Sequence, residues 1–349
     1  MTTESKMPNP VLTRAIDAVC SGQDLTADHA AAVLAEIMGG EASEVETAAF
    51  LVGLRAKGET VAELVGFART MRELAESVDA GPGESLLDTA GTGGGPSTFN
   101  VSTTAALIAA AAGCKVAKHG NRSATSKSGS ADMLEALGVK IELTPAAVGE
   151  CIETVGFGYM HAPAHHTAYK HVIPVRKALG VRTIFNFLGP LTNPADARRA
   201  LLGVADRRYQ ESVAEALVAL DAVHALVVNS DDGLDELSIS APTRVIEVFE
   251  GTTAERMVTA EDLGLTPAPL ESVAGGEPAE NAAAAQDVMA GTPGPRREIA
   301  LLNAGAAIYA GGQATDLGDG VQRAAEVVDS GAATALLASL VELTETLAG

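Results

Sequence analysis

The chain has 349 residues, 47% of them hydrophobic, and a formal charge of −21 from 24 basic and 45 acidic side chains. That length buries a sizeable core, in one large domain or two. So negative a chain excludes nonspecific nucleic-acid binding as a main task, while a local basic groove stays compatible with it. Cys20, Cys114 and Cys151 are widely spaced in apolar surroundings, which predicts buried thiols in a reducing compartment. The first ten residues, MTTESKMPNP, lack the apolar core of a signal peptide. No apolar span of about 18 residues runs uninterrupted, so the expectation is a soluble, cytoplasmic protein with no membrane contact.

Residues up to about 78 read as helices alone. Val11 to Val19 is amphipathic and Gly22 punctuates it; Thr26 caps a second helix that runs to Gly39-Gly40. Ser43 with Glu46, and Thr60 with Glu63, are capping boxes that open a third and a fourth helix. From Leu86 the pattern becomes strand and helix in alternation. Strands are predicted at Leu86–Thr89, Lys115–Ala117, Val139–Leu143, Gly158–His161, His224–Asn229 and Arg244–Phe249. Helices are predicted between them, including one opened by Thr144-Pro145 and one from Tyr209 to Leu220. The basic stretch His165 to Gly180 reads as helix interrupted at Pro174, and folding it back on the first four helices makes the small domain discontinuous. Pro267 to Pro295 reads as a mobile connection with one Ala-rich helix, and the tail as helices 298–310 and 319–347. The fold class that follows is α/β: a small all-helical domain and a larger domain with a central, mainly parallel sheet flanked by helices. The expected bounds are 1–78, completed by about 165–193, for the helical domain, with 79–164 and 194–349 for the other.

The chemistry concentrates at two strand ends. Leu86-Leu87 runs into a turn with Gly91, Gly93, Gly94, Gly95 and Pro96, and Lys115–Ala117 into Lys118-His119-Gly120-Asn121-Arg122 and a hydroxyl-rich turn. Backbone N–H groups in such turns, and at the helix starts that follow, face anions unobstructed. No acidic residue lies between Asp88 and Asp132, or from Thr154 to Ala195, although the chain is strongly acidic. Clearing carboxylates from two loop-rich windows suits a polyanionic ligand. There is no Walker A closure, and Asn100-Val101-Ser102-Thr103 stands where a dinucleotide fingerprint needs its third glycine. What is left is a cradle for phosphate and sugar. Asp231-Asp232-Gly233-Leu234-Asp235-Glu236 follows the strand His224–Asn229, where open α/β sheets hold ligands. Beside a polyphosphate these carboxylates suit a hard divalent cation better than they suit a bare acidic turn. Among His161, His165, His166 and His171 only His161/His165 has the spacing of a helix-face pair, so the four read as packing or substrate contacts and not as a metal site, and no arrangement supports covalent catalysis.

Asp88, GTGG, Ser97 to Thr103, KHGNR at 118–122, PVRK at 174–177, TIFNFLGPLTNP at 183–194 and DGLDE at 232–236 appear in that order. In this succession the chain resembles the anthranilate phosphoribosyltransferases over nearly its whole length. The resemblance implies a nucleoside phosphorylase/phosphoribosyltransferase-like fold, a homodimer formed through the small domain, and Mg²⁺. It also implies transfer of the phosphoribosyl group of phosphoribosyl pyrophosphate (PRPP) to anthranilate, a step of tryptophan synthesis. By motif, PRPP would be held by Gly91, Gly94, Gly95, Thr98, Asn100, Val101, Ser102 and Thr103. The second loop would add Lys118, His119, Gly120, Asn121, Arg122, Ser123, Ala124, Thr125 and Ser126, with Ser130 beyond it. Anthranilate would meet Gly91, Asn121 and Arg176, and magnesium Ser102, Asp235 and Glu236. Gly95-Pro96-Ser97 departs from the family, whose turn is longer and acidic after GTGG, so Gly95→Asp is expected to leave an active enzyme more sensitive to magnesium. A pyrimidine nucleoside phosphorylase is the rival enzyme, against which KHGNR and NFLGPLTNP speak. A silent nucleic-acid-binding relative of the fold is the other rival, against which the charge speaks.

Overall fold

The computed structural model describes residues 7–123 and 127–349; Ala124, Thr125 and Ser126, expected at the PRPP site, lie outside the described residues. The chain divides into two compact units, Met1–Ala75 with His166–Thr192, and Glu76–His165 with Asn193–Gly349.

The first unit is helical: α1 Pro10–Cys20, α2 Ala27–Met38, α3 Glu44–Lys57 and α4 Val61–Glu73. Both capping boxes form, at Ser43/Glu46 and Thr60/Glu63. Each capping carboxylate also works at long range. Glu46 accepts from Asn9 N at 2.6 Å, and buried Glu63 accepts from Leu25 N at 2.9 Å while pairing with Lys57 at 3.1 Å. Gly66 lets α4 press on α2, since a Cβ there would sit 2.2 Å from Ala27 O. The returning segment of this unit is anchored by Arg55 and Arg72, which donate to Arg182 O (2.8 Å) and Leu191 O (2.9 Å). Cys20 departs from the expected burial: it ends α1 and is exposed, whereas Cys114 and Cys151 are buried.

The second unit is built on a seven-stranded sheet: β1 Leu86–Gly91, β2 Lys115–Gly120, β3 Phe157–His161, β4 Arg199–Gly203, β5 His224–Ser230, β6 Thr243–Phe249 and β7 Thr252–Val258. The order is β3-β2-β1-β4-β5-β6-β7. β3 through β5 in that order are parallel, and β6 and β7 add antiparallel pairs at one edge. Helices α5 Val101–Ala111, α6 Ser130–Ala136 and α7 Pro145–Val155 follow β1 and β2. The short α8 Ala162–His165 ends this part of the unit; α9 Ile173–Leu179 and α10 Phe185–Leu188 belong to the helical unit. The basic stretch is thus broken into α8, a tight turn and α9, with Pro174 in the first turn of α9 where its missing N–H costs nothing. Beyond β4 come α11 Gln210–Ala219, α12 Pro278–Met289, α13 Pro295–Ala310, α14 Leu317–Asp329 and α15 Ala332–Leu347. The predicted helix 319–347 is two helices, broken where Gly331 takes φ +79°.

Alanines line α5, so it packs closely against α13, with all but Ser102 and Ala111 buried. Val139–Leu143 is not a strand. Its apolar side chains enter the core, but Val139 N donates to Leu134 O and Lys140 N to Thr344 Oγ1, and no strand pairs with it. Two strands escaped the sequence reading. β4 is short, and β7 is an edge strand whose exposed TTAERM carries no apolar alternation. Among the described residues no single helix is long and apolar enough to cross a membrane.

Candidate active site

The carboxyl ends of β1, β2 and β5 lie on one edge of the sheet, because all three strands run parallel in it. The loop after β1 keeps Gly93 and Gly94 at positive φ, +64° and +97°, which glycine alone adopts without strain. Gly95 has no positive φ; its side is closed instead, since a Cβ would lie 2.6 Å from Gly233 O. Gly203, at the end of β4, is needed for the same packing: a Cβ there would overlap Asp235 O at 1.6 Å. The acidic loop after β5 therefore folds back onto the glycine loop. Asp235 Oδ2 accepts from Gly93 N at 2.8 Å. Glu236 accepts from Thr98 Oγ1 and from Ser102 N, each at 3.3 Å, and so sits at the N-terminal end of α5. Asp231 and Asp232 are used otherwise. The first pairs with Arg207 at 2.8 Å, and the second accepts from Ser238 at 2.6 Å and from Ser240.

Below these carboxylates lies Lys118, only 2% exposed, which donates to Thr89 O and, at 3.0 Å, to Thr89 Oγ1. Burial lowers its pKa to about 8, against the upward pull of Asp88 and Glu236. Burial raises Asp88 as well, although Lys118 and the donors Asn193 Nδ2 (2.7 Å) and His119 N (3.1 Å) work the other way. Glu236 is pushed up to about 8 by burial first and by Asp235 second. A carboxylate so disfavoured in its charged form, beside a second one, is a site that a cation would stabilise. The donor set fits magnesium, which takes one or two carboxylates and completes its shell with phosphate and water. Among the described residues no group of three or more His, Cys, Asp or Glu forms a site by protein ligands alone.

The second loop is held differently. Arg122 donates to Asp132 at 2.9 Å and in a fork to Glu135 at 2.5 and 2.9 Å. Asp132 also receives Gly129 N at 2.8 Å and Ser123 N at 3.3 Å. Burial acts upward on Asp132, but those two N–H groups and Arg122 outweigh it and hold its pKa down. Asn121 O accepts from Ser130 Oγ at 3.3 Å, and that hydroxyl lies 3.3 Å from Tyr159 OH. Gly120 makes room there, a Cβ falling 2.4 Å from Ser130 Oγ. Asn100 ties the loops together, exchanging bonds with Ser128 through Nδ2 to O and Oγ to Oδ1, both 3.1 Å.

Of the residues expected at the phosphate site, Gly94, Gly95, Thr98 and Asn100 fall on the first loop and Asn121, Arg122 and Ser123 on the second, while Gly91 ends β1, Lys118, His119 and Gly120 end β2, and Ser102 and Ser130 lie at the starts of α5 and α6. Val101 and Thr103, in the first turn of α5, have no exposed surface. Arg176 belongs to the helical unit, where it donates to Tyr169 OH and lies over the rings of Tyr169 and Phe185 at 5.5 and 5.9 Å. Burial lowers its pKa. Two functional neighbours escaped the sequence reading. Asn281 of α12 donates to Asn100 Oδ1 at 2.9 Å, and Asn303 of α13 clasps Leu237, accepting from its N at 3.0 Å and donating to its O at 2.8 Å. Their signal was an amide beside the alanine run of α12 or the apolar run of α13, which needs a partner once buried.

Two family models match the chain: the helical bundle domain of a glycosyl transferase family over residues 13–75, and its a/b domain over 83–334. The anthranilate phosphoribosyltransferase of Symbiobacterium thermophilum is 51% identical over 330 residues, 94% of this chain and 96% of the relative. That of Halorhodospira halophila is 50% identical over 339 residues, 97% and 99% of the two chains. The crystal structure of anthranilate phosphoribosyltransferase from Thermus thermophilus superposes with a TM-score of 0.90 at 46% identity, covering 95% of this chain and 99% of that one. The Saccharomyces cerevisiae enzyme in complex with PRPP and Mg superposes with a TM-score of 0.88 at 26% identity, covering 98% and 100%. By identity carried through both its helical and its α/β parts, this chain belongs to the anthranilate phosphoribosyltransferase family.

Proposed function

We propose that the chain transfers the phosphoribosyl group of PRPP to the amine of anthranilate, releasing pyrophosphate and N-(5-phosphoribosyl)anthranilate for tryptophan synthesis. The observation that carries this reading is the closure of the Asp235-Glu236 carboxylates over the glycine loop and the start of α5. The loop amides and hydroxyls of Thr98 and Ser102 would bind and orient the diphosphate, and Asn100, Asn121 and Lys118 would keep the two loops in register around it. Asp235 and Glu236, with Ser102, would hold magnesium; when bound, that ion neutralises charge growing on the departing pyrophosphate oxygens. The anomeric carbon passes through an oxocarbenium-like state, as in other glycosyl transfers. An aromatic amine is uncharged at neutral pH, so no strong base is required and the protein contributes positioning and electrostatics. Arg176, with a planar fork, would take the anthranilate carboxylate. The helical unit leaves Val45 and Val52 of α3 exposed, along with Ile173 and Val181, and these apolar side chains support a homodimer through that unit.

The test is release of pyrophosphate from PRPP with and without anthranilate. Release that requires anthranilate and magnesium is the expected result. Phosphorolysis of a pyrimidine nucleoside in its place would overturn the reading.

A further inference from the structure

Asn281 is 3% exposed and makes two hydrogen bonds whose direction is forced. Gly276 N is a backbone donor and lies 2.8 Å from Asn281 Oδ1, so the oxygen of that amide must face it. The nitrogen then faces Asn100, and Asn100 must answer with its own oxygen at 2.9 Å. That same oxygen accepts from Ser128 Oγ at 3.1 Å, and Asn100 Nδ2 donates to Ser128 O at 3.1 Å. Gly276 N at one end and Ser128 O at the other thus fix the orientation of two successive amides. The second hydrogen of Asn100 Nδ2 has no acceptor among the described residues and is left for a ligand. An Asn100 flipped end for end would turn a carbonyl oxygen toward a phosphate instead. The start of α12 reaches the second loop by another route as well, Glu277 lying 3.6 Å from Lys127.

We propose that Asn281 is a positioning residue for PRPP, acting through Asn100 by holding that amide with its nitrogen available to phosphate and its oxygen turned away. The proposal rests on the reading of Asn100 as a PRPP contact. Asn281 touches no substrate itself, and its influence falls on PRPP and not on anthranilate.

The experiment compares Asn281→Ala, Asn281→Asp, Asn100→Ala and the double variant Asn100→Ala/Asn281→Ala. Steady-state constants for both substrates, the Kd of PRPP by calorimetry and thermal midpoints are measured for each. Asn281→Ala should raise the PRPP KM and Kd about tenfold, the effect of one buried hydrogen bond and the order it imposes. The anthranilate KM and kcat should stay within about twofold. Asn281→Asp keeps the acceptor for Gly276 N but sets an oxygen against Asn100 Oδ1, so it should weaken PRPP at least as much; it carries the comparison if the Ala variant does not fold. In the Asn100→Ala background the second substitution should add less than about twofold. Independent, multiplying effects in the double variant would overturn the proposal, as would equal changes in both KM values. Silent Asn281 variants beside a damaging Asn100→Ala would overturn the proposal alone. A silent Asn100→Ala would overturn both it and the reading on which it rests.

Discussion

Both loops leave the sheet within a stretch of chain that holds no acidic residue, yet both end beside carboxylates. At the second loop these are Asp132 and Glu135 from α6, the helix that follows at once, and Arg122 meets them both. At the first loop they are Asp235 and Glu236, brought 142 and 134 positions along the chain to Gly93 and Ser102. No cationic side chain forms an ion pair with Glu236 among the described residues, and its pKa rises where that of Asp132 falls. The difference teaches that the second loop pairs its carboxylates with Arg122, whereas at the first loop the charged form of Glu236 is disfavoured and a proton or a bound cation offsets it. Such strain is a common property of sites kept for ligands.

The largest effect should come from removing that charge. Asp235→Asn with Glu236→Gln should lower kcat/KM on the order of 100-fold or more and flatten the magnesium titration, because the charge that holds the ion is gone. A magnesium response like that of the parent protein would break the comparison at its centre. Next comes Arg176→Ala, in the helical unit. Loss of a charge-assisted fork costs about 1.5–3 kcal/mol, roughly 10- to 100-fold in the anthranilate KM, with the PRPP KM unchanged. An equal rise for PRPP would remove Arg176 from the acceptor site.

Gly95 sharpens the first half of the comparison. The expectation that Gly95→Asp changes only magnesium sensitivity does not survive the closeness of Gly233 O, 2.6 Å from a Cβ at that position. Ala and Asp alike should push the glycine loop off the acidic loop and raise the PRPP KM about tenfold, on overpacking of roughly 1–3 kcal/mol. If Ala is harmless and Asp alone acts, charge and not packing governs the turn.

The smallest effect is one of stability. Glu236 binds its proton more tightly in the folded protein, about pKa 8 against an ordinary value of 4.5, so the folded state is favoured below 4.5 and loses that advantage as pH rises through 8. Asp132 has the opposite sign, its contribution being present at neutral pH and lost as the solution is acidified below the ordinary carboxylate range. Glu236→Gln should therefore melt with the parent near pH 5 but above it at pH 9, in chelator, by a few degrees. Asp132→Asn should melt below the parent at pH 7 and converge with it in acid. Parallel curves for Glu236→Gln and the parent across this range would show that its carboxylate is compensated after all.

What the sequence determined by itself is local. Ser43 with Glu46 and Thr60 with Glu63 announce their helices because a capping bond spans three residues. The glycine turn and KHGNR announce a phosphate cradle because conformation and N–H direction are properties of a few consecutive residues. The tertiary structure alone decided which groups from elsewhere complete that cradle. Val139–Leu143 has the apolarity of a strand, but strand identity requires a partner's backbone, and the core offered it side chains and Thr344 Oγ1 instead. Asn281 reaches Asn100 from 181 residues away, and Glu236 reaches the start of α5 from beyond four further strands. Hydrogen bonds and charges act over a few ångströms of space, and distance along the chain carries no record of which remote residues folding will bring within that range.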